Sequence, residues 1–153
     1  MDYLIAGKLA FVAAGAHGIG AATADLLTDE GARVIVADSD GAALAARPGR
    51  WDATITSDLS TAPGVDEAVE RVLQTFGRAP DILINNLGVG NAMPFEALAD
   101  ENWEHSFNIN LMGSVRTLRA LLPRMVDVPG SAVVNTGSDL AKQPEPSFMD
   151  YGA

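Results

Sequence analysis

Two hydroxyl-bearing side chains, two carboxylates and a glycine-rich turn carry the chemistry open to this chain. Residues 13–20 read AAGAHGIG, between the apolar run Leu9 to Ala14 and an amphipathic run beginning at Ile19. A turn of this kind leaves backbone N–H groups unpaired at the start of a helix, and together with the helix dipole they attract a phosphate. Gly18 and Gly20 lack a Cβ, so a pyrophosphate and a neighbouring strand can come close. An ordinary strand-to-helix turn is the plainer alternative for this motif alone. Asp38 closes the next apolar run, Arg33 to Ala37. A carboxylate there can accept both hydroxyls of an adenosine ribose. It would repel a 2′-phosphate, and no Arg or Lys follows at Ser39, Asp40 or Gly41, which predicts NAD over NADP. His17 reads as a solvated loop residue rather than a catalyst, although a cation there could reach a phosphate. Asp58, before Leu59, is divided evenly between accepting from an adenine amino group and serving a turn.

Asn85-Asn86-Leu87-Gly88 ends a further apolar run. Two adjacent amides can brace neighbouring strand ends, and Gly88 leaves room for a ring; a plain turn containing Asn and Gly is the alternative. Ser138 and Tyr151 stand late in the chain. A Ser hydroxyl can donate to a carbonyl while a Tyr phenol transfers a proton. A free phenol titrates near ~10, so that role needs a nearby cation. In isolation a Ser and a Tyr in a loop carry no meaning.

The elements that must position these residues alternate. Strands are expected at 9–14, 33–37, 54–56, 81–84 and 132–135. The first helix should bury Ile19, Ala22, Leu26 and Leu27 on one face. A second clear stripe runs from Val65 to Phe76, with Thr61 as cap, Pro63 in the first turn and Gly77 as terminator. A long helical region covers about 100–125, with Leu111, Val115, Leu118, Leu122 and Met125 at helical spacing. Trp51 and Trp103 read as packing anchors. Alternating strands and helices with strands apolar throughout imply a parallel sheet covered on both faces, α/β and doubly wound, in the order 3-2-1-4-5. Ligands of such sheets bind beyond the carboxyl ends of the strands, where every motif above falls.

The bulk properties narrow the function class. The 153 residues suffice for one domain with a substantial core. The net charge is −10 with no basic cluster, a poor match for nucleic acid or an anionic membrane surface. There are no cysteines, which removes disulfides, thiolate nucleophiles and cysteine metal sites. No metal site is expected. No apolar run approaches a membrane span, and no leader pattern opens the chain, so a soluble cytoplasmic protein is the expectation.

Taken in order, these motifs resemble the short-chain dehydrogenase/reductase family. AAGAHGIG is similar to its TGxxxGIG turn, NNLG to its NNAG motif, and GSAVVNTGS at 130–138 to the strand leading to its Ser. The segment Trp103 to Gly113 resembles the helix carrying its catalytic Asn, which falls on Asn110. Tyr151-Gly152-Ala153 resembles the start of its YxxxK motif. The resemblance implies a Rossmann dinucleotide-binding domain over 1–153 and an NAD(P)-dependent oxidoreductase interconverting a secondary alcohol and a ketone. It implies that Gly15, Gly18, Ile19 and Gly20 hold the pyrophosphate, with Asp38 on the ribose and Asp58 and Leu59 on the adenine. Asn86 and Gly88 would line the cofactor cleft. Ser138 would orient the carbonyl, Tyr151 would act as acid and base, and Asn110 would support a water relay. It also implies pairing of subunits, as dimer or tetramer, through the helix around Leu111 to Met125; burial of that stripe against the chain's own sheet is the alternative.

Three departures stand out. Ala13 and Ala14 replace the usual Thr and Gly, so the turn should survive with altered hydrogen bonding. Leu87 replaces the Ala of NNAG and should shift packing beside the nicotinamide. The Lys of YxxxK falls beyond Ala153, as do the last strands and helices of the family fold. This leaves open a second expectation, a nucleotide-binding fragment without turnover. The strand expected at 132–135 would then become a sheet edge with Val133 and Val134 unprotected.

Overall fold

The computed structural model describes residues 3–153. Its five strands are β1 (Leu9–Ala13), β2 (Arg33–Asp38), β3 (Ala53–Thr56), β4 (Ile82–Asn85) and β5 (Ala132–Asn135), paired in parallel in the order β3-β2-β1-β4-β5. This is the expected doubly wound Rossmann sheet. Register aligns the strand ends: Ala13 lies beside Ala37 and Asn85, Asp38 beside Thr56, and Asn85 beside Asn135.

Every residue of β1 is buried, because LAFVA offers apolar side chains to both faces. Phe11 and Ala13 pack under α3 (Ala62–Phe76) and α5 (Gly113–Met125), with Val65, Val72, Leu121 and Met125. Ala10 and Val12 pack under α1 (Gly18–Asp29) and α2 (Gly41–Ala45), with Ala24, Leu44 and Trp51. Trp51 anchors that second layer, capped by the Arg47 guanidinium 4.8 Å above its ring. Trp103 is instead only half-buried and stacks on Phe107. In α3 the Thr61 hydroxyl accepts from the Gly64 N–H, and Gly77 ends the helix at φ +74. β3 and β5 are the two edge strands, and in β5 Val134 is half-exposed while Val133 is partly packed on the core.

Two helices turn faces other than those expected. In α1 the buried residues are Gly20, Ala21 and Ala24, while Ile19 is 68% and Leu26 58% exposed. Ala22 is exposed as well, and of the predicted face only Leu27 touches the core. The helix rests so close to the turn that only small side chains fit beneath it. The region 100–125 is likewise not one regular helix. It is α4 (Asp100–Phe107), a π-helical turn (Asn108–Met112) and α5. The buried row of α5 is Gly113, Thr117, Leu121 and Met125, four residues apart, and Leu111 and Leu122 stay exposed. Thr117 tolerates burial because its hydroxyl donates to the Gly113 carbonyl at 2.8 Å.

A buried carboxylate fastens the opposite end of the sheet. Asp81 accepts from the Leu9 N–H at 2.7 Å and from Arg78 at 2.8 Å, with Lys8 3.8 Å away. Burial alone would raise its pKa, but the Arg78 hydrogen bond, the Leu9 N–H and both cationic charges hold it below the usual carboxylate range. A depressed folded-state pKa means a stabilisation that is complete above the ordinary carboxylate pKa of about 3.9 and is lost as pH falls below it. Asp81→Ala is expected to cost about 3 kcal/mol at neutral pH, since it orphans a buried N–H, and to flatten the acid limb of a stability-versus-pH curve. An unchanged acid limb in urea titrations at stepped pH would show that Asp81 does not contribute to it.

Candidate active site

The aligned strand ends open into a cleft of about 640 Å³, within the range of small-molecule sites. Its wall gathers His17, Gly18 and Ile19 from the turn, Asp38 from β2, and Asn86, Leu87 and Gly88 from beyond β4. Asn110, Ser138 and Tyr151 complete it from the other side. Gly18 and Asp38, separated in sequence by a helix and a strand, thus face one crevice.

The three glycines of the turn divide their work. Only Gly18 lines the cleft; it has φ +50, and a Cβ there would meet nothing within 4 Å. Gly15 and Gly20 serve close packing instead. A Cβ on Gly15 would lie 2.6 Å from Val36 Cγ1, and one on Gly20 would lie 2.2 Å from the Ala14 oxygen. Of the residues expected to hold a pyrophosphate, Gly18 and Ile19 line the cleft, and Gly15 and Gly20 let the turn fold tightly behind them. The turn does survive its substitutions. Ala14 takes the left-handed conformation, φ +60, with its N–H donating to Ala37 O and its carbonyl accepting from the Asn86 amide at 2.9 Å. An L-residue in that region costs about 1 kcal/mol, partly offset by the extra freedom glycine has when unfolded. Ala14→Gly is therefore expected to raise stability by about 0.5 kcal/mol, read as a higher urea midpoint at constant slope. A lower midpoint would show that Ala14 carries no strain.

Asp38 is aimed by its own backbone contacts. Its Oδ2 accepts from Ala16 N–H and its Oδ1 from Asp40 N–H, each at 3.0 Å. Each oxygen keeps a lone pair for a ligand hydroxyl. Asp58 and Leu59 do not line the cleft. The Asp58 carboxylate accepts from the N–H and hydroxyl of Ser60, and Leu59 is a buried core residue. The even choice left by the sequence at Asp58 falls toward the turn.

The paired amides do brace the strand ends. Asn85 donates to Asn135 Oδ1 at 2.8 Å, and Asn86 donates to Ala14 O while accepting from the Thr136 hydroxyl. Leu87 turns its Cδ2 onto Gly113, where a Cβ would approach within 2.4 Å. The larger side chain is thus taken up by the helix as well as by the cleft wall. Asn110 sits in the π-helical turn, which directs its amide at Val89: Oδ1 accepts from Val89 N–H at 2.7 Å, and Nδ2 donates to Val89 O and to the Ser106 hydroxyl. Its side chain is spent on holding the 86–90 segment, so a water relay would have to use other atoms of this turn.

Ser138 and Tyr151 share the far wall. The Ser138 oxygen accepts from Leu140 N–H at 3.2 Å, and its proton meets only Asp139 Oδ1 at 3.3 Å, a long contact that leaves it free for a stronger acceptor. The Tyr151 ring rests on Gly90, whose Cβ would lie 3.1 Å from Tyr151 Cγ, and Phe148 meets the ring edge-on. Met93 N–H donates to Ser147 O and ties the two segments together. The sequence did not single out Gly90, Ser106, Phe107 or Thr136. Thr136 lies one residue past a strand end, a usable signal; the others are set by packing alone.

These residues fit a dinucleotide: an open glycine at a helix start, a carboxylate held ready by two N–H groups, and a cleft leading from both to a Ser and a Tyr. The comparisons with known proteins agree. A family model described as short chain dehydrogenase matches residues 8–153. D-threitol dehydrogenase of Mycolicibacterium smegmatis is 37% identical over 146 residues, covering 92% of this chain and 56% of that protein. L-sorbose reductase from Gluconobacter frateurii, solved with NADPH and L-sorbose, superposes with a TM-score of 0.93 at 32% identity over 99% of this chain and 60% of its own. 3-Ketoacyl-(acyl-carrier-protein) reductase from Brucella melitensis, solved with NADH, gives 0.89 at 29% identity over 97% and 64%. The chain spans about half to three-fifths of the curated relatives it matches.

Proposed function

Because the chain belongs to the short-chain dehydrogenase family, we propose that residues 1–153 form the dinucleotide-binding domain of an NAD-dependent oxidoreductase acting on a small secondary alcohol or its ketone. One observation carries this reading: Gly18, Asp38, Asn86, Ser138 and Tyr151, brought from five different segments, line a single cleft.

A bound nicotinamide supplies or takes the hydride. The chain's own groups bind and orient, while no Lys or Arg among the described residues lines the cleft to supply the cation that a phenol needs for proton exchange. The open face at Gly18 and the start of α1 receive the pyrophosphate, with Ile19 exposed beside it as an apolar contact. Asp38 accepts the ribose hydroxyls. Its charge disfavours a 2′-phosphate, and this supports NAD even though the Gluconobacter enzyme was solved with NADPH. The Ser138 hydroxyl gives up its long contact with Asp139 and donates to the substrate carbonyl, and the Tyr151 phenol exchanges a proton with the same oxygen. Asn110 is a positioning residue that fixes Val89 and so the floor under Tyr151.

The half-exposed Leu122 of α5, with Leu111 in the π-helical turn before it, supports subunit pairing through this region. No helix among the described residues is long and apolar enough to cross a membrane. The cysteine-free composition fits the cytoplasm, where we place the protein.

Titration with NADH followed by nicotinamide fluorescence, then absorbance assays against a panel of ketones and alcohols, tests the proposal. Saturable binding with turnover is expected. Saturable binding without turnover would support the narrower alternative, a nucleotide-binding module, and no binding would refute both.

A further inference from the structure

We propose that Asp40 is a specificity-determining residue, which keeps the cleft selective for an unphosphorylated ribose by holding the imidazole of His17. This deepens the dinucleotide reading above and rests on it. Three hydrogen bonds close a ring around the ribose end of the cleft. Ala16 N–H donates to Asp38 Oδ2 at 3.0 Å, Asp40 N–H donates to Asp38 Oδ1 at 3.0 Å, and His17 Nε2 meets Asp40 Oδ2 at 2.8 Å. The other Asp40 oxygen accepts from Ala43 N–H at 2.9 Å at the start of α2, so the carboxylate is held from two sides. The Ala43 N–H first, and then the His17 contact, keep its carboxyl below the usual range, so it stays charged in neutral solution.

His17 matters because of where it stands. It lines the cleft one residue from the N–H that aims Asp38, and its side chain is 67% exposed. Among the described residues no Lys or Arg lines the cleft, so His17 is the one side chain there able to carry positive charge. A phosphate on the ribose 2′ oxygen would lie against the Asp38 carboxylate and would need a cation to offset it. The imidazole that could supply one is paired with Asp40, compensated in charge and fixed in direction. Asp38 repels the phosphate, and Asp40 withholds the remedy.

Asp40→Asn tests this, because an amide keeps an acceptor for Ala43 N–H while removing the charge that pairs His17. Asp40→Ser, which also keeps a helix-cap oxygen, is the second variant should the first fold poorly. The probes are ADP-ribose and its 2′-phosphorylated form, titrated calorimetrically into the full chain at about pH 6. The wild-type chain is expected to bind ADP-ribose the more tightly. Asp40→Asn is expected to shift the affinity ratio about tenfold toward the phosphorylated probe. Adding His17→Gln to Asp40→Asn is expected to remove that gain. An unchanged ratio in Asp40→Asn, or a gain that persists in the double variant, overturns the role of Asp40. Failure of the wild-type chain to bind either probe overturns the dinucleotide reading itself and this inference with it.

Discussion

Gly20→Ala is expected to destabilise the chain by about 3 kcal/mol and to abolish measurable NADH binding. The added methyl would lie 2.2 Å from the Ala14 carbonyl oxygen, 2.7 Å from Asn86 Nδ2 and 2.9 Å from Gly15 Cα. Two of these three are backbone atoms that no rotamer change can move. The methyl also intrudes on the 2.9 Å hydrogen bond from Asn86 to Ala14, which ties the turn to the end of β4. Relief requires α1 to lift off the sheet, separating Gly18 and Ile19 from Asp38. Gly18→Ala is the informative contrast. That site is open space at φ +50, so it pays only the left-handed backbone cost of about 1 kcal/mol and keeps the turn in place. Urea unfolding and NADH titration of both variants separate close packing from backbone strain. A Gly20→Ala chain as stable as the wild type would show that α1 is not seated as described.

In the proposed reaction, Tyr151→Phe is expected to lower kcat about 10³-fold while leaving the NADH Kd within about twofold. The substitution removes only the phenolic oxygen. The ring keeps its seat on Gly90 and its edge contact with Phe148, so the wall of the cleft is preserved. Loss of rate without loss of cofactor affinity assigns a proton-transfer role to the oxygen. Equal losses in both would point to packing, and an unchanged kcat would remove Tyr151 from the chemistry altogether.

Much of the architecture is legible in the sequence because it is local. A strand apolar on both faces, a helix with its cap and its terminating glycine, and their strict alternation lead to a parallel sheet in one order. The β3-β2-β1-β4-β5 sheet follows from such segments. Helix faces were less legible. Ile19 and Leu26 look like core by type, yet the close approach at Gly20 reserves the underside of α1 for alanine and glycine. In α5, Leu118 and Met125 of the expected stripe do meet the core, but Leu122, and Leu111 in the turn before it, stay exposed and Thr117 is buried instead, because its hydroxyl can be satisfied within the helix. The candidate site divides in the same way. Gly18, Asp38, Asn86, Ser138 and Tyr151 stand at strand or helix ends, where a one-dimensional pattern locates them. Which partner each side chain takes depends on neighbours far away in the chain, as with Asn110 on Val89.

By itself, the sequence determined the class of sheet, the end of it where the cleft opens, and the residue types gathered there. Those follow from periodicity and turn chemistry, which act over a few residues. Only the tertiary structure decided that Gly15 and Gly20 pack while Gly18 faces the cleft, that Asp58 closes its own turn, and that Asp40 holds His17. These are contests between partners at nearly equal cost. Contacts between distant segments settle them, because a hydrogen bond or a clash of a few tenths of an ångström exists only once the strands have been laid side by side.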